Sequence, residues 1–458
     1  MNRRLASIVI LLALMSARRA AAQTQVGVAP QADVTVGYQG LPYKSTGESS
    51  TGINLAEGML LHVGAGVEAG YDSNVFYSNS SDAGGVISSD IIRVTTFGEL
   101  TNSTRNGAER PSVVYDVRAG LVYRLYTSDN PEVEKYRTAL MPTAGLGLST
   151  NSGHWAFQLT DSFIRQEDPP YAGISGTAAA VPITRDSNLA SVQAQWSPGG
   201  GRISGTLRYD NTIDVFEQDS GFDYASSLSN QLVLDVSWKW LPKTALFLQA
   251  SQGWITYLND TSPSTQGGVT ADTRKASSYP LRIYVGLRGL ITQKVTAMVA
   301  LGYVDAFYAS GTSNSGILGS TYVDAQVSFA PSMLNRLTLG FHQDVVNSVI
   351  SNFYYETAVY GSYVQQIAGR VALDLSGRLS HRIYEDLLFD PTHSRTDNTI
   401  TAGATLDYFI RNWAYVGVGY SLLANLSDYH LPPGPAGGAG ESVEYTKNQV
   451  FARLGITY

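Results

Sequence analysis

Residues 61–72 alternate between apolar side chains and polar or small ones. The apolar positions are Leu61, Val63, Ala65, Val67, Ala69 and Tyr71. The intervening positions are His62, Gly64, Gly66, Glu68, Gly70 and Asp72. Because successive side chains of a β-strand point to opposite faces, this pattern predicts a strand with one apolar face and one polar face.

The same two-residue pattern recurs along most of the chain and predicts eighteen strands. Each span reaches or slightly exceeds the roughly 9–11 residues that a tilted strand needs to cross a membrane. Two of the spans, 88–100 and 244–257, have a mixed phase. The predicted strands are 59–73, 88–100, 112–126, 135–149, 153–165, 186–197, 201–213, 226–241, 244–257, 279–291, 294–308, 321–330, 336–347, 353–366, 370–384, 397–410, 413–424 and 446–458.

The connections between these spans alternate in length. Short segments such as 197–200 and 241–244 are followed by long ones such as 258–278. Outer-membrane barrels have short periplasmic turns and longer outer loops, so this phase predicts that both termini are periplasmic and that the strand number is even. The connection 101–111 is long for a periplasmic turn.

These patterns predict an all-β fold: a single transmembrane antiparallel up-and-down β-barrel of about 18 strands over residues 58–458. A β-propeller or a large sandwich also alternates, but neither needs a polar face on nearly every strand. No blade-length repeat is visible. Beyond the N-terminus no apolar run reaches 18 residues, so the sequence predicts no transmembrane helix.

The N-terminus resembles a secretory signal peptide covering residues 1–22. Arg3 and Arg4 precede the apolar run 5–15, and small residues at 20–22 fit a signal-peptidase site. A membrane anchor is the alternative, but the run is too short to span as a helix. Residues 23–57 are polar and predict a flexible periplasmic segment. We therefore expect the mature protein in the cell outer membrane.

Composition and charge exclude several classes of function. The chain has no cysteine, which excludes disulfides, thiol catalysis and cysteine-ligated metals. The signal holds four of the 31 basic residues and no acidic one, so 27 basic residues face 38 acidic ones in the mature chain, a net charge of −11. This acidic balance argues against nucleic-acid binding.

Polar residues on the predicted inward faces are the candidate pore lining. An ordinary alternative is that they solvate the wall and pair across strands, which we favour for any single residue. Their charges are mixed and nearly balanced, so selectivity for a highly charged anion is not implied. The candidates are Glu68, Asp72, Asp116, Arg118, Arg124, Arg208, Asp210, Asp235, Arg282, Tyr284, Arg288, Asp324, Asp344, Glu356, Asp374, Arg378, Arg382, Asp407 and Arg453.

Inward aromatic residues and the histidines are the remaining candidates for binding or catalytic sites. Tyr284, Tyr360 and Tyr415 could stack on sugar rings or could fill space. The six histidines include no metal-spaced cluster, and no Gly-x-Ser-x-Gly turn precedes a helix. We therefore predict no catalytic residue, no metal and no cofactor.

Positions of aromatic residues support the membrane assignment. Trp155, Trp196 and Trp238 lie beside short turns, whereas Tyr77 and Tyr126 lie near the opposite strand ends, as two interfacial girdles would require. The last strand carries alternating apolar residues and ends in an aromatic one. This ending resembles the signal that outer-membrane barrels present to the barrel-assembly machinery, which we expect as a partner together with outer-membrane lipid.

The segment Gly70-Tyr71-Asp72-Ser73-Asn74-Val75-Phe76 resembles an early motif of the outer-membrane β-barrel porins of Gram-negative bacteria. It follows the first strand, where that group carries it. Some members, including 18-stranded myxobacterial barrels, accompany exopolysaccharide synthesis. The resemblance implies no catalytic residue. It implies that the chain is the outer-membrane exit for a secreted polysaccharide, working with a periplasmic export partner.

Two other functions remain open at this point. The barrel could be a general or solute-selective diffusion porin. It could also be a structural or surface-interaction barrel whose lumen is closed. An outer-membrane hydrolase is a distant further alternative.

Overall fold

The computed structural model describes the barrel and most of its connections. The predicted signal peptide and nearly all of the predicted periplasmic segment lie outside the described residues. The described residues are 52–56, 58–80, 85–102, 112–168, 183–217, 223–259, 264–266, 269–271, 275–308, 321–388, 393–411, 413–430 and 442–458.

Eighteen long strands follow one another along the chain, close to the spans that the alternation predicts. They are β1 (Met59–Asp72), β2 (Ser89–Thr101), β3 (Val113–Tyr126), β4 (Thr138–Ser152), β5 (Trp155–Asp168), β6 (Ile183–Trp196), β7 (Ile203–Phe216), β8 (Ser227–Leu241), β9 (Thr244–Tyr257), β10 (Leu281–Leu290), β11 (Val295–Asp305), β12 (Thr321–Ser332), β13 (Asn335–Asn347), β14 (Ser351–Ile367), β15 (Val371–Leu387), β16 (Arg395–Arg411), β17 (Ala414–Ser427) and β18 (Tyr445–Thr457).

Each strand pairs antiparallel with its neighbours in sequence, and β1 pairs with β18, for example at Val67 and Leu454. The molecule is therefore a closed 18-stranded up-and-down barrel, which confirms the predicted fold class. One additional short strand, Ile53–Ala56, pairs with the start of β1. It lies at the end of the predicted N-terminal segment, where the sequence pattern gave no strand.

The connections separate the barrel into two ends. We call the end with the short turns at 153–154, 242–243 and 368–370 the turn end, and the opposite one the loop end. At one turn Ala368 and Gly369 both have positive φ, and the Arg370 amide donates to the Ile367 carbonyl at 3.1 Å, as a type I′ hairpin turn requires. The start of β1 and the end of β18 both lie at the turn end.

One connection departs from the predicted alternation of lengths. At the loop end only residues 348–350 join β13 to β14. The turn is covered, since Ser348, Val349 and Ile350 are all buried.

Helix is a minor part of the described chain. In the described part of the chain the longest helix is Pro131–Glu134, capped by the Asn130 side chain, which accepts from the Glu132 amide at 2.9 Å. Among the described residues no helix is long and apolar enough to cross a membrane. A separate hairpin, Ser264–Gln266 with Val269–Ala271, lies in the connection between β9 and β10.

The outer face of the barrel is apolar and exposed. Leu301, Leu339 and Leu379 are each more than half exposed although they lie near the middles of their strands. The six tryptophans of the chain also lie on the exposed face: Trp155, Trp196, Trp238, Trp240, Trp254 and Trp413. The prediction for two tyrosines was wrong. Tyr77 and Tyr126 are buried inside the barrel, because both pack into apolar clusters at the loop end.

Inward glycines lie directly opposite inward aromatic residues. Tyr360 is paired with Gly340, and its ring lies where a Cβ on that glycine would be. Such pairs let a large ring lie flat along the wall, because the opposite strand has no side chain. The pairs are Phe97 with Gly64, Phe247 with Gly286, Tyr284 with Gly302, Tyr360 with Gly340, Tyr415 with Gly455 and Phe451 with Gly70.

Candidate functional site: the barrel lumen

Each of the predicted lumen residues lies on the strand face opposite to the exposed apolar side chains, and so faces inward. Most of them are not bathed in water. Asp72, Glu68 and Arg453, for instance, are buried. Long side chains along a concave wall pack against one another, which removes them from solvent. A role in conduction stays a prediction for these residues.

At the seam between β18 and its neighbours, charged residues pair across strands. Arg453 Nε donates to Asp407 Oδ1 at 2.7 Å, and Arg93 lies 3.7 Å from Glu68. The four residues lie in one register row, which also contains Arg124. Charges alternate from Asp407 to Arg93, and Arg124 adds a second positive charge beside Arg93, so the row holds two acids and three arginines.

On the opposite wall, ion pairs bridge strands that are not adjacent. Arg282 on β10 donates to Asp344 on β13 at 3.1 Å and to the Val345 carbonyl at 2.8 Å. Its guanidinium passes inside the two intervening strands. Arg288 similarly reaches Asp235 at 3.3 Å. These contacts tie the curved wall together independently of the backbone ladder.

The remaining candidates are also mostly paired. Glu356 accepts from Arg378 and, at 3.0 Å, from Arg382. Arg208 donates to Asp210 at 2.9 Å. Arg124 donates to the Glu167 carbonyl at 2.7 Å. Asp324 on β12 and Asp374 on β15 are half-buried.

One charged cluster is open to the lumen. The Arg118 side chain is 52% exposed; its Nε lies 2.9 Å from Asp116 and 3.3 Å from Glu99. Glu99 was not among the predicted residues because the phase of its span was mixed. Two acids around one base leave this cluster net negative.

Sequence reasoning missed several inward ion pairs near the loop end. Arg185 donates to Asp214 at 2.6 Å, and Arg395 to Asp397 at 2.7 Å. Arg185, Asp214 and Arg395 lie just beyond the predicted spans. Continuing the inward phase for a few residues past each predicted end would have found them.

Near the loop end an apolar cluster, here called the cap, crosses the lumen. It joins residues of β7 to residues of β14, β15, β17 and β18, and β7 lies on the opposite side of the barrel from β15 to β17. The cap consists of Tyr77, Phe216, Tyr224, Ala225, Val349, Ile350, Tyr354, Tyr384, Leu387, Leu388, Leu423, Tyr429, Val443 and Tyr445. This apolar cluster narrows the lumen at this level.

The early sequence motif builds one part of this cap. Asn74 accepts from the Ser78 amide at 3.0 Å and donates to the Thr446 carbonyl at 3.1 Å. These bonds hold Tyr77 in a left-handed conformation, with φ of 54°. A non-glycine residue persists there only when its surroundings fix it. The Tyr77 ring packs edge-on against Tyr445, with centroids 5.3 Å apart.

Below the cap a cavity of about 100 Å³ lies against β7 to β13. Gln231, Gln249 and Ser251 supply amides and a hydroxyl, and Arg208 and Arg282 supply guanidinium groups. Tyr284 also lines it, but its ring stacks on Tyr322 with centroids 4.3 Å apart. Val233, Ile255 and Val345 also line the cavity, so its wall is mixed, with polar groups set among apolar ones.

Within the described ranges, no group of three histidine, aspartate or glutamate side chains is placed to hold a metal ion. Carboxylates of the lumen bind arginine and lysine instead.

Comparison with known proteins gives structural likeness alone. No protein-family model matches the chain, and no curated protein matches its sequence. The siderophore receptor PirA of Acinetobacter baumannii is 10% identical, with 87% of this chain and 80% of the receptor covered, at a TM-score of 0.43.

Two further structures are similar to the same degree. Acinetobacter baumannii OccAB4 is 9% identical over 87% of this chain and 98% of its own, at a TM-score of 0.41. A BenF-like porin from Pseudomonas fluorescens Pf-5 is 8% identical over 87% and 99%, at 0.42. At these scores the likeness assigns no function to this chain.

Proposed function

We propose that this chain is an outer-membrane channel and that it forms the exit for a secreted polysaccharide. The observation that carries the first part is the inverted distribution of side chains: apolar outside, charged inside. Soluble monomers rarely expose apolar patches larger than a few hundred Å². Here the exposed apolar face continues around the barrel, which requires an apolar surrounding.

The dimensions of the barrel fit a bilayer. Its strands have 10 to 17 residues. At about 3.3 Å per residue and a tilt of about 40°, they span roughly 25–43 Å, and the apolar band of such barrels is about 25 Å tall. The tryptophans near the turn end fit the level of the lipid head groups.

The polysaccharide cargo is the finer part of the proposal. Lumen charges are paired and nearly balanced, so the wall attracts neither strong anions nor strong cations. Amides, hydroxyls and aromatic rings remain, and these are the groups that bind uncharged polyhydroxylated chains. A periplasmic export partner at the turn end and the barrel-assembly machinery at β18 are the partners that this role needs.

The cap favours one alternative, a closed surface-interaction barrel. A channel with this cap must open, whereas a structural barrel need not. Single-channel recording in planar bilayers separates the two. Conductance steps from the purified full chain are expected, and a barrel that stays silent under all voltages would contradict the channel.

A deletion strain tests the cargo. Loss of surface polysaccharide, restored by the wild-type gene, is expected. Normal surface polysaccharide in the deletion strain would overturn the export role and would leave a diffusion porin as the function to test.

A further inference from the structure

Near the turn end of the lumen, three aromatic rings line the wall around the seam. Phe409 on β16 and Tyr415 on β17 are directly paired, with ring centroids 5.8 Å apart. Phe97 lies on β2, on the other side of the seam. All three side chains face inward and are half-buried.

The wall between these rings consists largely of glycine, with the small Thr457 paired to Gly64. Tyr415 is opposite Gly455, and a Cβ on that glycine would lie 2.6 Å from Tyr415 Cζ. Phe97 covers Gly64 in the same way. Gly455 is itself paired with Gly66 across the seam. The Phe97 and Tyr415 rings therefore cover glycine backbone, and the Arg453 guanidinium lies 5.8 Å from the centroid of the Tyr415 ring.

Hydrogen-bonding groups flank these rings. The exposed Arg118 cluster with Asp116 and Glu99 lies beside Phe97, since Glu99 is the next inward residue of β2. On the other side, the ion pair of Arg453 and Asp407 forms the next inward row toward the loop end.

From this arrangement we infer that Phe97, Phe409 and Tyr415 form a stacking platform for the sugar rings of an uncharged glycan. Flat apolar ring faces pack against the C–H faces of pyranoses, while the flanking polar groups meet their hydroxyls. Directly beside Phe97, Glu99 and Asp116 outnumber Arg118, and beside Tyr415 the charge of Arg453 is balanced by Asp407, so an acidic glycan is disfavoured at the rings. The platform deepens the proposed export function and rests on it for its cargo class.

The test is calorimetric titration of the full chain in detergent with maltohexaose and, separately, with an oligogalacturonate of six units. Binding of maltohexaose is expected, and weaker binding of the acidic probe. The variants Phe97→Leu and Tyr415→Leu keep apolar volume but remove the ring. Each should weaken binding about tenfold, since an aromatic contact contributes roughly 0.5–1.5 kcal/mol.

Three controls keep the result interpretable. Phe157→Leu, at an exterior ring stacked on Trp155, should bind like the wild type. Tyr415→Phe retains the ring and should bind within about twofold. Heat-modified migration on gels checks that every variant is folded. Wild-type binding by the leucine variants, or no maltohexaose binding by the wild type, would overturn the platform.

The two proposals fail separately. A barrel that binds maltohexaose through these rings, in a strain whose polysaccharide is normal after deletion, keeps the platform and loses the export role. If the deletion strain loses its surface polysaccharide and the barrel does not bind maltohexaose, the export role stands and the platform is wrong.

Discussion

Lys447 Nζ lies 2.9 Å from Asp72 Oδ2, and both side chains are buried at the loop end of the seam. Asp72 also accepts from Gln449 at 2.7 Å. The ammonium group of Lys447 lies 4.0 Å from the centroid of the Tyr77 ring. This pair therefore joins the first strand, the last strand and the cap.

Removing one member of this pair should destabilise the barrel. Asp72→Ala leaves the buried Lys447 ammonium group without its carboxylate, and Lys447→Met leaves the buried Asp72 carboxyl group without its ammonium. For each variant we expect a loss of about 3–5 kcal/mol in the free energy of unfolding. Urea titration followed by tryptophan fluorescence measures it. The double variant Asp72→Leu/Lys447→Met should recover much of the loss.

An exposed ion pair provides a matched control for this buried one. Lys135 lies 2.9 Å from Glu132 with both side chains in solvent. Lys135→Met should leave the unfolding curve unchanged, because exposed pairs contribute little. Equal effects at the two sites would contradict a special role of the seam pair.

The cap should limit conductance. Val349→Asp and Ile350→Asp each place a carboxylate in the apolar cluster, which disfavours the closed arrangement. We expect larger or more frequent openings in planar bilayers. Met333→Asp, in an exposed turn at the other end, is the control. If the cap variants conduct like the wild type, the cap is not the barrier.

The contact between Tyr360 and Gly340 can be tested by adding a single methyl group. Gly340→Ala puts a Cβ into the space of the Tyr360 ring, and we expect a loss of about 1–3 kcal/mol in unfolding free energy. Gly205→Ala has open space around it and should be tolerated. Combining Gly340→Ala with Tyr360→Leu should restore stability, and failure to do so would argue against direct overlap.

Lys275 gives the loop end a pH dependence. It donates to the Ser348 carbonyl and lies over the Tyr257 ring, with its Nζ 4.8 Å from the centroid. Burial lowers the pKa of Lys275 to about 7 from its usual 10.5. The folded loop therefore binds fewer protons than the open one between these two pH values.

The sign of the effect follows from that difference. Above pH 10.5 Lys275 is neutral in both the closed and the open arrangement and does not change their relative stability. As the pH falls from 10.5 toward 7, the closed arrangement becomes less stable relative to the open one. Below pH 7 the difference is constant. We expect channel opening to increase as the pH is lowered from 9.5 to roughly 7. Lys275→Met should abolish the dependence, and a persistent pH response in that variant would place its origin elsewhere.

The strand number and the inward faces were predictable because a two-residue period is a local property. The alternation assigns Glu68 and Arg453 to the inner face from their own strands alone, and both side chains lie there in the structure. Mixed phase hid Glu99, and strand ends hid Arg185 and Arg395, because alternation weakens where a strand leaves the wall.

By itself the sequence determined the closed up-and-down barrel, its eighteen strands and the face of the side chains wherever the alternation is clean. The tertiary structure decided which charges meet, as Asp72 and Lys447 do from opposite ends of the barrel sequence. It also decided that apolar residues of distant strand ends and turns join into a cap. The reason is physical: facing is set by neighbours along the chain, whereas pairing and closure depend on where barrel closure brings remote segments together.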